Sequence, residues 1–186
     1  MNIKNKNKKQ TAEEVIKERY KRAVEKSDII SFVEKLIFFL FLIWLLFGAV
    51  FGFKVVTNDD MKPRISADDL LIYYRLNKTY RANDVIIFQK DNVQYIGRIV
   101  GVGGDKIEID DDGSIKINDS VIGEDNIYYA TKPYDEGITF PVTLKEDEFF
   151  ILCDYREGAK DSRYFGPVNT KEVMGKIITV LRRNDL

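Results

Sequence analysis

Leu36 to Phe53 is a run of 18 residues without a single charged side chain, and no other stretch constrains the chain as tightly. As an α-helix rising ~1.5 Å per residue it covers about 27 Å, which matches the hydrocarbon thickness of a bilayer. A cleavable leader would have a shorter apolar core and a small-x-small cleavage site. Gly48-Ala49-Val50 supplies small residues, but the apolar run continues through Phe53 to Lys54, so the segment reads as an uncleaved anchor. Residues 1–35 carry 10 Lys/Arg against 6 Asp/Glu, and the remainder carries 19 against 24. That asymmetry predicts a cytoplasmic tail over 1–35, a transmembrane helix over 36–53 and an extracellular domain over 54–186.

Composition removes several classes of function. The net charge is -1, so no global basic field points to nucleic acid as a partner. There is no histidine, which excludes His-based triads, His-ligated metals and His pH switches. The one cysteine, Cys153, closes no intramolecular disulfide. It ends the apolar run Glu148 to Cys153 and reads as a buried strand thiol. Asp59, Asp60, Asp68 and Asp69 lack the alternating spacing of a cation loop, so they read as solvated loop acids, and no metal or cofactor is expected.

Along the chain, residues 1–10 are rich in Lys and Asn and read as disordered. Thr11-Ala12-Glu13-Glu14 has the form of a capping box, and Ser31-Phe32-Val33-Glu34 repeats it just before the apolar run. The first helix gathers Ile16, Tyr20, Ala23 and Val24 on one side amid lysines and arginines, a pattern suited to anionic membrane lipid or to a solvated stub. After Lys54 the texture is β. Leu70–Tyr74, Asp84–Phe88, Val93–Val100, Lys106–Asp110, Ser114–Asn118, Glu148–Cys153 and Met174–Leu181 are strand-length and rich in β-branched and aromatic residues. Asp112-Gly113 marks a turn, Ile122 to Phe140 is looser, and residues 106–147 read as a smaller inserted lobe. The expectation is a mostly antiparallel β domain on one anchor.

Four stretches then carry chemistry. Asp60-Met61-Lys62-Pro63-Arg64-Ile65-Ser66-Ala67-Asp68-Asp69 resembles the S-M-x-P-T-L-x-x-G-D nucleophile box of type I signal peptidases, with Met61, Pro63 and Asp69 matching. Arg81 to Phe88 resembles the family's R-G-D-I-V-V-F strand, and Tyr95 to Asp105 its K-R-V-I-G-L-P-G-D box. Asp154 to Gly166 resembles G-D-N-R-x-N-S-x-D-S-R-x-F-G after its first glycine, which here is Cys153. The resemblance runs in order from about Phe32 to Arg183 and implies a signal peptidase-like antiparallel β fold.

The family works with a serine nucleophile and a lysine kept neutral by burial. By this alignment the serine position holds Asp60, the lysine position Gly97, and the position of the supporting hydroxyl Ala159. The resemblance therefore implies no catalytic residues. It implies a peptide groove whose candidates are Asp60, Met61, Pro63, Tyr95, Ile96 and Gly97, roomier than the family's and with a negative floor. It also implies retained structural residues: Arg98, Asp161 and Arg163 as an ion pair beneath the site, Gly101, Gly104, Asp105 and Gly166 in turns, and Tyr164 and Phe165 in the core. Ser66 and Ser162 read as a turn hydroxyl and a motif hydroxyl.

Dyad-less relatives include a Gram-positive group associated with sortase-assembled pili. The resemblance thus implies a non-enzymatic, chaperone-like accessory of secreted pilin assembly, with an exported pilin, a sortase or an active signal peptidase as partner. Two alternatives stay open: an accessory subunit that alters an active signal peptidase, and an active peptidase with an atypical site.

Overall fold

The computed structural model describes residues 11–124, 127 and 129–182. Residues 1–10, Arg183, and residues 125, 126 and 128 of the looser stretch lie outside the described residues. The chain divides into two compact units, residues 1–46 and 47–186.

The first unit is helical. Helix α1 runs Ala12–Trp44 and passes into a π-helical stretch, Leu45–Val50. Its start is held as the capping pattern predicts, with the Thr11 backbone N–H donating to Glu14 Oε2 at 3.1 Å. The second pattern at Ser31 to Glu34 starts nothing, because α1 continues through it unbroken. Among the described residues one helix, Ala12–Val50, is long and apolar enough to cross a membrane. The helix ends three residues before the apolar run does. Phe51–Val55 is strand β1, paired antiparallel to β2, Leu70–Tyr74. Hydropathy alone cannot separate the last turn of a span from a buried strand, and strand pairing decides it.

The second unit is built from antiparallel strands. After β1 and β2 come β3 (Val85–Lys90), β4 (Val93–Gly101), β5 (Lys106–Ile109), β6 (Ile115–Ile117), β7 (Ser120–Val121) and β8 (Val142–Thr143). Then follow β9 (Glu148–Leu152), the single turn α2 (Ser162–Phe165), β10 (Val168–Asn169) and β11 (Val173–Leu181). Among the described residues they form a seven-stranded sheet ordered β1-β2-β11-β3-β4-β9-β10 and a four-stranded sheet ordered β7-β6-β5-β8. The smaller sheet occupies the stretch expected to form the inserted lobe.

Local sequence explains the joints. Asp91 and Asn92 both take positive φ, 48° and 63°, between Lys90 and Val93, the signature of a two-residue hairpin turn. Between β5 and β6 the connection is longer, Asp110 to Ser114, with Gly113 at φ 88°. Three apolar clusters fill the unit. One gathers Met61, Ile65, Leu71, Tyr73, Ile87, Ile96, Cys153 and Ala159. A second joins the two sheets through Val100, Ile107, Ile115, Leu144, Phe150 and Leu152. The third lies on the opposite face of β3, β4 and β9, around Ile86, Phe88, Ile99, Ile151 and Val168.

Candidate functional site

The loop after β1 is folded by its own polar groups. Asp59 accepts the Ala67 N–H at 3.0 Å and pairs with Lys62 Nζ at 2.8 Å, while Asp69 accepts the Ser66 N–H at 2.9 Å. These contacts turn the chain so that Met61 drops into the first cluster and is 1% exposed. The loop is clamped from the other side: the Tyr155 N–H donates to the Asp60 carbonyl at 2.9 Å, and the Asp154 N–H to Met61 Sδ at 3.4 Å. The nucleophile-box residues are therefore fixed against the segment that follows β9. Pro63 is exposed, after a cis peptide bond from Lys62.

Facing this loop is β4. It pairs with β3 from Val93 to Arg98 and with β9 from Arg98 to Gly101, so Val93 to Gly97 pair only with β3. Lys54 of β1 donates to Gln94 Oε1 of β4 at 2.9 Å, although three strands separate β1 from β4 in the sheet order. The sheet therefore curls, and the outer rim of β1 comes to face the unpaired rim of β4. Met61, Ile96, Cys153 and Ala159 line the cluster beneath. This is a slot with the geometry for an added extended segment.

Alternation along β4 sorts the groove candidates. Met61 and Ile96 come together in the cluster beneath the slot, with Asp60 next to Met61 in the loop. Tyr95 does not: its ring packs on Phe88 and Phe165, at 5.6 and 5.4 Å between centroids, on the opposite face. Gly97 shares that face with Tyr95, and the extra room expected there does not exist. A Cβ on Gly97 would lie 2.5 Å from Ile151 Cγ2 and 3.3 Å from the Leu152 carbonyl oxygen. The space a lysine stem would need is filled by the β-branched methyl of Ile151.

Asp60 is half-buried, and its carboxylate accepts one bond, from Asn58 Nδ2 at 2.7 Å. Burial, followed by the charges of Asp161 and Asp59, raises its pKa above the ordinary carboxylate value. Cys153 is buried, and its thiol donates to the Ile96 carbonyl at 3.5 Å. Burial chiefly, aided by Asp161 and Asp60, pushes that thiol well above its ordinary pKa, so it stays protonated and is a poor nucleophile. Ser162 is fully buried with its Oγ accepting the Ile151 N–H at 3.0 Å, and Ser66 serves the turn described above.

The supporting ionic framework differs from the expectation in one respect. Arg163 and Asp161, 1% and 0% exposed at the side chain, form one pair, with bonds of 2.9 Å from Nε and from Nη2. Arg163 also donates to the Lys132 and Arg156 carbonyls and to the Tyr134 hydroxyl. Arg98 is not part of this pair. It grips Asp154 with two bonds, 2.8 and 2.5 Å, and donates to the Asn83 carbonyl at 3.1 Å. Sequence reasoning passed over Asp154 and also Arg156, which is fully buried and bonded to Thr131 and Glu124. Asp105 closes its turn by accepting the Val102 N–H and the Asn118 amide, and Gly166 ends α2 at φ 81°. Phe165 packs inward as expected. Tyr164 is 42% exposed and lies under the Lys160 ammonium instead of in the core.

The family described as signal peptidase, peptidase S26, matches residues 29–181. Signal peptidase I P of Bacillus subtilis subsp. natto is 24% identical over 163 residues, covering 81% of this chain and 88% of that protein. Signal peptidase I of Bacillus caldolyticus is 30% identical over 142 residues, covering 69% of this chain and 78% of its own length. A crystal structure of a signal peptidase I from Enterococcus faecalis V583 aligns with a TM-score of 0.44 at 27% identity, over 55% of this chain and 98% of that one. On the match over residues 29–181, the chain belongs to the signal peptidase family, peptidase S26.

Proposed function

We propose that this chain is a non-catalytic member of its family that holds an extended segment of an exported polypeptide in the slot between β1 and β4. The observation that carries the reading is the pairing of Asp60 with Gly97. A carboxylate stands at the nucleophile position, and the lysine position has neither a side chain nor the space for one. The retained Arg163–Asp161 and Arg98–Asp154 pairs support a binding role, since they keep the slot's walls in place without a reacting group. The apolar helix supports a single-pass anchor with the β domain outside the cell.

The finer assignment, an accessory or chaperone-like factor for secreted pilin subunits, rests on the resemblance to dyad-less relatives. It is tested by capture of a pilin subunit on the full-length chain in detergent, beside Asp60→Lys. Capture by the native chain and loss in the variant supports it, whereas equal capture by both overturns it. The names of the two Bacillus relatives, both signal peptidases, favour a second reading in which the chain cleaves or assists cleavage of signal peptides. Co-purification with an active signal peptidase in place of a pilin would support the accessory-subunit form of that reading.

A further inference from the structure

Two hollows meet at Arg98, near the point where β4 leaves its pairing with β3. One, of about 380 Å³, is walled by Val100, Ile117 and Ile122. The other, of about 320 Å³, is walled by Ile65, Val85 and Ile177. Arg64, Asn83 and Arg98 line both, so these three residues form the saddle between them.

The charges at the saddle are unevenly matched. Arg98 has its charge matched by Asp154 and also donates to the Asn83 carbonyl. The two acids on the walls are also engaged: Glu124 holds Arg156 Nη2 at 2.6 Å, and Asp84 holds Lys176 Nζ at 2.6 Å. Among the described residues the Arg64 guanidinium has no carboxylate partner. Arg182 adds a second cation, since its Nη2 sits 3.1 Å from the Arg64 carbonyl oxygen and among the described residues it has no carboxylate partner. The saddle is thus a net cationic point between two aliphatic hollows, with the Asn83 amide beside it. A guanidinium with free donors matches a carboxylate in geometry as well as charge.

We propose that this cleft binds a protein segment of the form apolar–acidic–apolar, with its carboxylate on Arg64 and one aliphatic side chain in each hollow. Shape selects the peptide over other anions. A free phosphate would leave both hollows unfilled. A phospholipid's two acyl chains leave its headgroup side by side, whereas these hollows share Arg64, Asn83 and Arg98 but no aliphatic wall. The inference is independent of the slot and of whether the chain is catalytic.

The test is calorimetric titration of the full-length protein in detergent with acetyl-Leu-Ala-Glu-Ala-Leu-amide, whose two Leu and one Glu share a face when the chain is extended. The peptide with Gln for Glu, inorganic phosphate and glycerol phosphate are run in parallel. The Glu peptide should bind in a salt-sensitive manner. The Gln peptide and the Arg64→Gln variant should each weaken binding about tenfold, the scale of one charge-assisted contact. Arg64 is exposed, so circular dichroism of the variant should match the native protein, and Arg64→Lys should retain part of the affinity. Absence of heat at millimolar Glu peptide, equal binding of the two peptides, or indifference to Arg64→Gln would overturn the proposal. Arg64-dependent binding of glycerol phosphate as tight as that of the peptide would overturn it in favour of a lipid headgroup.

Discussion

Replacing Gly97 by alanine adds one methyl group where Ile151 Cγ2 already lies 2.5 Å away and the Leu152 carbonyl oxygen 3.3 Å away. Gly97 pairs with Ile86 of β3, and the β9 pairing begins at the next residue, Arg98, so the backbone cannot easily withdraw. Overpacking of this kind costs about 1–3 kcal/mol. Loss of glycine's freedom in the unfolded chain offsets roughly 0.5–1 kcal/mol of it. Gly97→Ala should therefore destabilise by about 1–2 kcal/mol net. Ile151→Ala alone should cost ~2–5 kcal/mol, because the site is fully buried. In that background the clash is gone, and adding Gly97→Ala should be neutral or slightly stabilising. The cycle should show a coupling energy of about 1–3 kcal/mol. Urea unfolding of the full-length protein, followed by circular dichroism at constant slope, measures all four corners. An equal cost for Gly97→Ala in both backgrounds, or no cost in either, would refute the steric account.

Three further outcomes are expected. Arg163→Met, which leaves Asp161 buried without its cation, should destabilise by about 3–5 kcal/mol in the same unfolding assay, and a loss under 1 kcal/mol would contradict the buried-pair reading. Asp60 has a raised pKa in the fold, so its ionised form opposes folding above that pKa and has no effect once both states are protonated. Asp60→Asn should therefore be more stable than the native chain at pH 7 and indistinguishable from it below the unfolded carboxylate pKa; a difference that grows toward low pH would contradict the assignment. Cys153 should resist iodoacetamide in the folded protein and react promptly in denaturant, since its thiol is buried and held protonated.

Much of the architecture can be read from the sequence because β pairing leaves local marks. The runs at Leu70, Val93 and Glu148 are each too short and too β-branched for helices, and all three are strands. The membrane-length helix is legible from a charge-free run alone. Its end is not, because Phe51 to Phe53 are as apolar as the helix before them and are claimed by β2 only through long-range pairing. The site divides in the same way. Asp60 and Gly97 are visible from spacing, since position within an ordered set of motifs needs no coordinates. Which way each residue of β4 points depends on the register with β3 and β9, so Tyr95 and Gly97 read as groove residues until that register is known. The identity of the neighbour that fills the space at Gly97 is a packing fact, and nothing around Ile151 in the sequence signals it. Arg98 illustrates the same limit: an arginine near two acidic motifs has several possible partners, and only the fold selects Asp154 over Asp161.

The central claim, that this family member binds polypeptide without cleaving it, is tested most directly by incubating a secretory preprotein with the purified full-length chain in detergent. An active signal peptidase I serves as positive control and Asp60→Ala runs alongside. The account predicts uncut preprotein with the native chain under conditions where the control cleaves to completion. Processing by the native chain at the signal-peptide junction, abolished by Asp60→Ala, would contradict it and require a mechanism that uses a carboxylate at the nucleophile position.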